Sequence, residues 1–127
     1  MSHARRYAQS SAQTASRERL MVMLFERALQ GMRSGAAALE SGRVAEANRA
    51  LSNALDIVVE LHATLDREKA PALSDQLGEV YRFVCTRVGE ANLNRDPRLA
   101  REAERAFAPI ADGFARAVAS LGAQGAR

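Results

Sequence analysis

Two histidines, one cysteine and a scatter of carboxylates are the residues in this chain that could do chemistry, and their spacing limits what that chemistry is. A di-iron centre in a helical protein needs Glu-x-x-His on each of two helices, because residues three apart project to the same side. Glu60 and His62 are two apart and point to different faces, and the other histidine, His3, stands far off near the start. No metal and no other cofactor is therefore expected. A phosphorelay carrier would place a Lys and a Gly soon after its histidine to hold phosphate, whereas the run here is His62-Ala63-Thr64-Leu65-Asp66. An acid one turn away repels a phosphoryl group. The plainer expectation is a helical, part-exposed His62 paired with Asp66 at i+4.

Cys85 falls on an apolar stripe, where a thiol behaves as a small core residue rather than a nucleophile. Being single, it can close no intramolecular disulfide. No Gly-rich phosphate loop follows a strand, and no second histidine stands in the body to complete a Ser/His/Asp arrangement. The chain reads as a protein without catalytic machinery.

The elements that must position these residues follow from composition. Of 127 residues, 26 are Ala, and 34 larger apolar side chains remain to build a core. Ala loses no side-chain entropy in a helix, and with three Pro and few β-branched residues helix is favoured throughout. The whole formal charge of +3 lies in residues 1–19, where Arg5, Arg6, Arg17 and Arg19 face only Glu18. The remainder is neutral, with acids interrupting every basic face, so nucleic acid is not an expected partner. No apolar run approaches the ~20 residues that span a bilayer, and the opening MSHARRYAQSSAQTAS lacks the apolar core of a signal peptide. A cytoplasmic protein without membrane insertion is expected.

Residues 1–16 lack periodicity and read as a flexible N-terminal arm with Tyr7 as its one large anchor. A first helix is expected from Arg17, capped by Thr14-Ala15-Ser16, with a stripe through Leu20, Phe25, Met32 and Leu39 and a stop at Gly42. A second repeats the spacing from Val44 through Leu51 and Val58 to Leu65 and Asp66, and so short a link forces an antiparallel hairpin. After Pro71 a third carries Leu77, Val80, Tyr81, Val84 and Val88, with Asn94 as its stop. Asp96-Pro97 restarts the chain, since Asp can cap and Pro suits the first helical position. The fourth helix runs through Phe107, Phe114 and Leu121 to Gly122, with a kink or a frayed end expected from Pro109. The expectation is an all-α, antiparallel up-down-up-down four-helix bundle over 17–121, after the arm 1–16 and before a disordered tail 122–127.

One helix carries more apolar surface than one seam needs. Beyond its stripe the second helix adds Ile57 and Val59, so that Leu55, Ile57, Val58, Val59 and Leu61 wrap past the ~100° a core-facing helix requires. The third adds Phe83 beside Val80, and the first adds Val22 and Met23. Either the second helix is simply the most buried one, or the surplus forms a groove for a segment of another protein.

These residues carry a resemblance. The stretch Tyr7…Thr14-Ala15-Ser16-Arg17-Glu18-Arg19-Leu20-Met21-Val22-Met23-Leu24-Phe25-Glu26 resembles the opening of the FliS flagellar secretion chaperones: a Tyr, then Thr-Ala/Ser-Ser-Pro, then Leu-Leu-x-Met-Leu-Tyr-Asp-Gly. Glu46-Ala47-Asn48, Asp56 through Leu61 to Leu65-Asp66, and Leu77 through Tyr81, Phe83, Arg87 and Ala91-Asn92 to Asp96 follow in that family's order. The likeness covers roughly residues 7–118. Arg17 replaces the family's Pro, Glu26-Arg27 its Asp-Gly, and Phe114 the Trp common in the last helix.

The resemblance implies a cytosolic export chaperone that binds the disordered C-terminal segment of flagellin, prevents premature filament polymerisation and assists delivery to the flagellar type III export gate. A helical adaptor for another amphipathic client is the alternative. The expected client groove involves Leu55, Ile57, Val59, Leu61, Val80 and Phe83, with Leu55, Leu61 and Val80 also readable as core. Arg87 and Asn92 match family positions, and either hydrogen-bond the client backbone or tie helices together. For Tyr7 the resemblance suggests an arm that covers the empty groove, against the plain reading of a disordered arm.

Overall fold

The computed structural model describes residues 2–125, with side chains described over 16–122. Four helices follow one another: α1 (Ser2–Glu40), α2 (Val44–Ala63), α3 (Pro71–Asn94) and α4 (Pro97–Gly125). Each packs on the next, and α4 closes on α1, so the helices stand at the corners of a square in up-down-up-down order. The all-α four-helix bundle is thus as expected.

The turns follow local chemistry. After Glu40 the Arg43 N–H reaches the Ala38 carbonyl at 2.8 Å and the Gly42 N–H reaches that of Leu39 at 3.1 Å. Gly42 adopts φ +74°. This is a Schellman end, with glycine at the left-handed position where a Cβ is strained. The α3 end uses the same device with a different residue: Arg95 takes φ 54°, and the Asp96 N–H bonds back to the Ala91 carbonyl at 3.1 Å. Asp96 then caps α4, accepting the Arg98 N–H at 3.0 Å.

Three boundaries differ from expectation. Helix α1 begins at Ser2, not Arg17, so the backbone of 2–16, expected as an arm, is helical; Gly and Pro are absent before Gly31 and nothing in the sequence breaks it. Helix α2 ends at Ala63, because the Thr64 hydroxyl donates to the Leu61 carbonyl at 2.7 Å and Asp66 accepts the Glu68 and Lys69 N–H groups at 3.1 and 3.2 Å. Helix α4 passes through Pro109 and Gly122 to Gly125. Pro109 deprives only the Arg105 carbonyl of its donor, and the buried Phe107 and Ala111 on either side hold the helix on course.

The core tapers. Near the two tight turns it consists of Ala36, Ala47, Ala91 and Ala100, one from each helix and each fully buried. Toward the other end it widens through Met32, Leu51 and Val88 to an aromatic group. There Phe25 meets Phe107 at 5.7 Å and Phe114 at 4.9 Å between ring centroids, and Tyr81 meets Phe107 at 6.5 Å. Burial pushes the Tyr81 phenol up to about 12. Charge pairs run along the outer edge of the α1–α4 seam: Glu40 to Arg101 at 2.7 Å, Arg101 to Glu104 at 2.9 Å, and Glu104 to Arg33 at 3.0 Å.

Helices α1 and α2 approach closely. A Cβ built on Gly31 would lie 2.9 Å from the Ala50 carbonyl oxygen and 3.0 Å from the Ala54 Cβ, and one on Gly35 would meet Leu51 at 2.5 Å. Two glycines one turn apart therefore set how near these helices come.

Candidate functional site

The chemistry-bearing residues fall into structural roles. His62 does not pair with Asp66, because α2 has ended between them and the Asp66 carboxylate is engaged in its own turn. The imidazole instead packs on the Tyr81 ring, with centroids 6.0 Å apart. Cys85 is half-buried, and burial raises its thiol pKa away from the nucleophilic thiolate.

The residues expected to line one groove are divided among three seams. Ile57 and Val59 are two apart, about 200° around the helix, and so lie on opposite flanks of α2. Ile57 turns to α1, lining a shallow cleft of about 220 Å³ with Arg27, Gly31 and Asn53. Val59, 53% exposed, lies on the α3 side, the flank shared with Leu55, which is partly buried against the core. Leu61 is only 2% exposed and belongs to the core itself. On α3, Val80 is half-buried and Phe83 is 40% exposed, both on the flank toward α4. The Tyr7 side chain lies outside the described residues.

Arg87 links α3 to α4. Its Nε lies 2.8 Å from a Glu102 carboxylate oxygen and Nη1 3.7 Å from Glu90, while its guanidinium carbon sits 4.8 Å over the centre of the Phe83 ring. The Nε–H is not aligned on the carboxylate, so the contact is an ion pair without a good hydrogen bond. The cation fixes the Phe83 ring from one side and leaves the other open. Asn92 donates to the Ser52 hydroxyl at 3.5 Å, and Ser52 donates to Asn48 at 3.1 Å, a polar stitch between α3 and α2.

Exposed apolar residues that periodicity assigns to the interior complete the picture. Met23 is exposed off the stripe of α1, whereas Leu20, Leu73 and Leu121 continue their core stripes and are exposed all the same. They share the end of the bundle where α2 has stopped at Ala63 and no fourth helix remains to cover them. With Val59 and Phe83 they give this half of the molecule a broken apolar girdle crossing several seams. The opposite end carries a separate small patch, Val44 and the 83% exposed Leu93, beside a cleft of about 330 Å³. The cleft on the α1–α4 seam, about 780 Å³, is rimmed by charge: Glu26, Arg33, Arg105, Asp112 and Arg116.

No helix among the described residues is long and apolar enough to cross a membrane. Nor do three or more His, Cys, Asp or Glu side chains gather into a metal-binding group among them.

Known proteins resemble this chain over most of its length. The family model described as flagellar protein FliS matches residues 1–121. The flagellar secretion chaperone FliS of Salmonella typhimurium is 33% identical over 107 residues, which cover 84% of this chain and 79% of that protein. That of Bacillus subtilis is 31% identical over 114 residues, 90% of this chain and 84% of the relative, and that of Escherichia coli 26% over 113 residues, 88% and 83%. A four-helix bundle girdled by uncovered apolar side chains and matched to this family over nearly its whole length, the chain is a member of the FliS family of flagellar secretion chaperones.

Proposed function

We propose that this protein binds the disordered C-terminal segment of flagellin in the cytoplasm, keeps it from polymerising prematurely, and assists its delivery to the flagellar type III export gate. The observation that carries this reading is the girdle of Leu20, Val59, Leu73, Phe83 and Leu121, exposed on a bundle whose core is otherwise closed. Such a surface suits a client that wraps across seams as short amphipathic pieces. Ordering a disordered segment costs roughly 2–5 kcal/mol, which several such contacts together exceed. No nucleotide is required, since release can follow competition at the export gate.

Phe83 sets the scale of one contact. At 40% exposure, a side chain of about 200 Å² leaves about 80 Å² to cover, or about 2 kcal/mol at 25 cal/mol per Å², roughly thirtyfold in Kd. Titration calorimetry of the full chain with a flagellin C-terminal peptide should show 1:1 binding with a negative heat-capacity change. Phe83→Asp should weaken it by at least that factor while helicity is retained. Absence of heat and of any melting shift would remove flagellin as the client and leave the helical adaptor with another partner.

A further inference from the structure

The cleft of about 330 Å³ at the end opposite the girdle is walled by Val44 and Asn48 of α2 and by Gly89, Asn92 and Leu93 of α3, with Arg95 beside them. Its volume falls in the range of ligand-sized sites, ~300–1,000 Å³. Gly89 interrupts a 24-residue helix, where glycine is a poor helix former. Nothing in the bundle asks for it, since a Cβ built there meets no atom within 4 Å. That point is open space, and it lets an incoming main chain lie directly on the α3 backbone.

Two amides line the cleft with the glycine, and one hydroxyl orients both. Ser52 donates to Asn48 Oδ1 at 3.1 Å and accepts from Asn92 Nδ2 at 3.5 Å. Asn48 Nδ2 is left as a donor and Asn92 Oδ1 as an acceptor, each without a hydrogen-bond partner among the described residues. An incoming helix brings a backbone that is already paired. A trans peptide group in an extended chain answers both amides, because its C=O and its N–H point to opposite sides.

The same end carries apolar surface and an unpaired cation. Leu93 is 83% exposed and Val44 37%. Among the described residues Arg95 forms no ion pair, while the acids nearest along the chain are engaged, Asp96 with Arg98, Glu90 with Arg87 and Glu46 with Arg43. About 22 Å of α2, at ~1.5 Å per residue, separates Val44 from Val59, the next exposed large apolar side chain on that helix. The patch is therefore no continuation of the girdle.

We propose that this cleft binds an extended acidic segment of a protein other than the client. Asn48 and Asn92 read its main chain over Gly89, an apolar residue covers Leu93 and Val44, and an acid two positions along faces Arg95. Side chains two apart share one face of an extended chain, so both reach the cleft together. The surface is separate from the girdle, so the two can be occupied at once.

NMR titration of the full chain with the pentapeptide Ac-Thr-Leu-Thr-Glu-Thr-NH2, rich in strand-favouring Thr, tests this. Saturable shifts of the Gly89 amide and of the Asn48 and Asn92 side-chain amides are expected. Asn48→Asp keeps the acceptor for Ser52 but turns the unpaired donor into an acceptor, and should weaken binding about tenfold. Gly89→Leu should abolish binding while melting no lower than the parent chain. N-methylating the two peptide nitrogens between Leu and Glu should abolish it as well. Replacing the peptide's Glu by Gln should cost about threefold against the parent and nothing further against Arg95→Gln. Absence of saturable shifts, or unchanged affinity of the N-methylated peptide, overturns the main-chain site; a Glu-to-Gln loss that persists in Arg95→Gln overturns the pairing with Arg95. Saturating flagellin C-terminal peptide should leave the shifts in place, and their loss would assign the cleft to the client and overturn a separate partner. If the chain does not bind the flagellin peptide, the client reading fails by itself and the pentapeptide still decides the cleft.

Discussion

Replacing Gly31 by Ala should destabilise this bundle, although helix propensity alone says the opposite. In an exposed helix interior Gly→Ala is worth about 1 kcal/mol of stabilisation. At Gly31 the new methyl would lie 2.9 Å from the Ala50 carbonyl oxygen and 3.0 Å from the Ala54 Cβ. Neither atom can swing aside, since one is backbone and the other is fixed directly to it. Helix α1 must therefore move off α2, loosening Ala28 and Met32 against Leu51 and Ala54 in the buried core. Overpacking of this kind costs roughly 1–3 kcal/mol, and near the upper end the net loss is about 1–2 kcal/mol. A chain of this length has an unfolding entropy near which 1 kcal/mol shifts Tm by about 4 °C. Gly89 supplies the control, because a Cβ there meets nothing within 4 Å. Thermal melts followed by circular dichroism should show Gly31→Ala lower by about 4–8 °C and Gly89→Ala higher by about 4 °C. If both variants melt above the parent chain, the close α1–α2 approach is not what Gly31 is there for, and the reasoning fails.

The α1–α4 charge ladder should give stability that depends on acid. Burial works against the charge on Glu104, but hydrogen bonds from Arg101 and Arg33 outweigh it and hold the carboxyl below its usual pKa. The contribution is therefore complete above the unfolded carboxylate value, about 4.3, and is lost as pH falls through the folded value. Urea melts should show Glu104→Gln weaker by about 1 kcal/mol at neutral pH and converging with the parent in strong acid. Arg95 holds φ 54° without being Gly; relieving a left-handed strain of about 1–2 kcal/mol at some entropic cost, Arg95→Gly should raise stability by about 0.5–1 kcal/mol in the same assay. The girdle variant Phe83→Asp completes the set, read by calorimetry against the flagellin peptide.

The local signals were legible because their causes are local. Gly42 ends α1 because a left-handed position favours glycine, and Asp96-Pro97 opens α4 because one side chain accepts the Arg98 N–H. The stripes through Phe25, Val58, Val84 and Phe107 could be read off a period of 3.6 residues, and all four are buried. Periodicity shows that a residue points inward along its own helix and cannot show whether a neighbour is still there. Leu20, Leu73 and Leu121 fit their stripes and are exposed, since α2 ends too early to cover them.

The sequence by itself determined four amphipathic helices, their order and most of their ends, and a surplus of apolar side chains that one small core does not need. Only the tertiary structure decided where the surplus goes, because the flank of a helix acquires meaning from what stands next to it. Ile57 and Val59 look like one patch along the chain and belong to different seams in space. His62 and Tyr81 look unrelated along the chain, yet the antiparallel packing of α2 on α3 brings their rings to 6.0 Å between centroids.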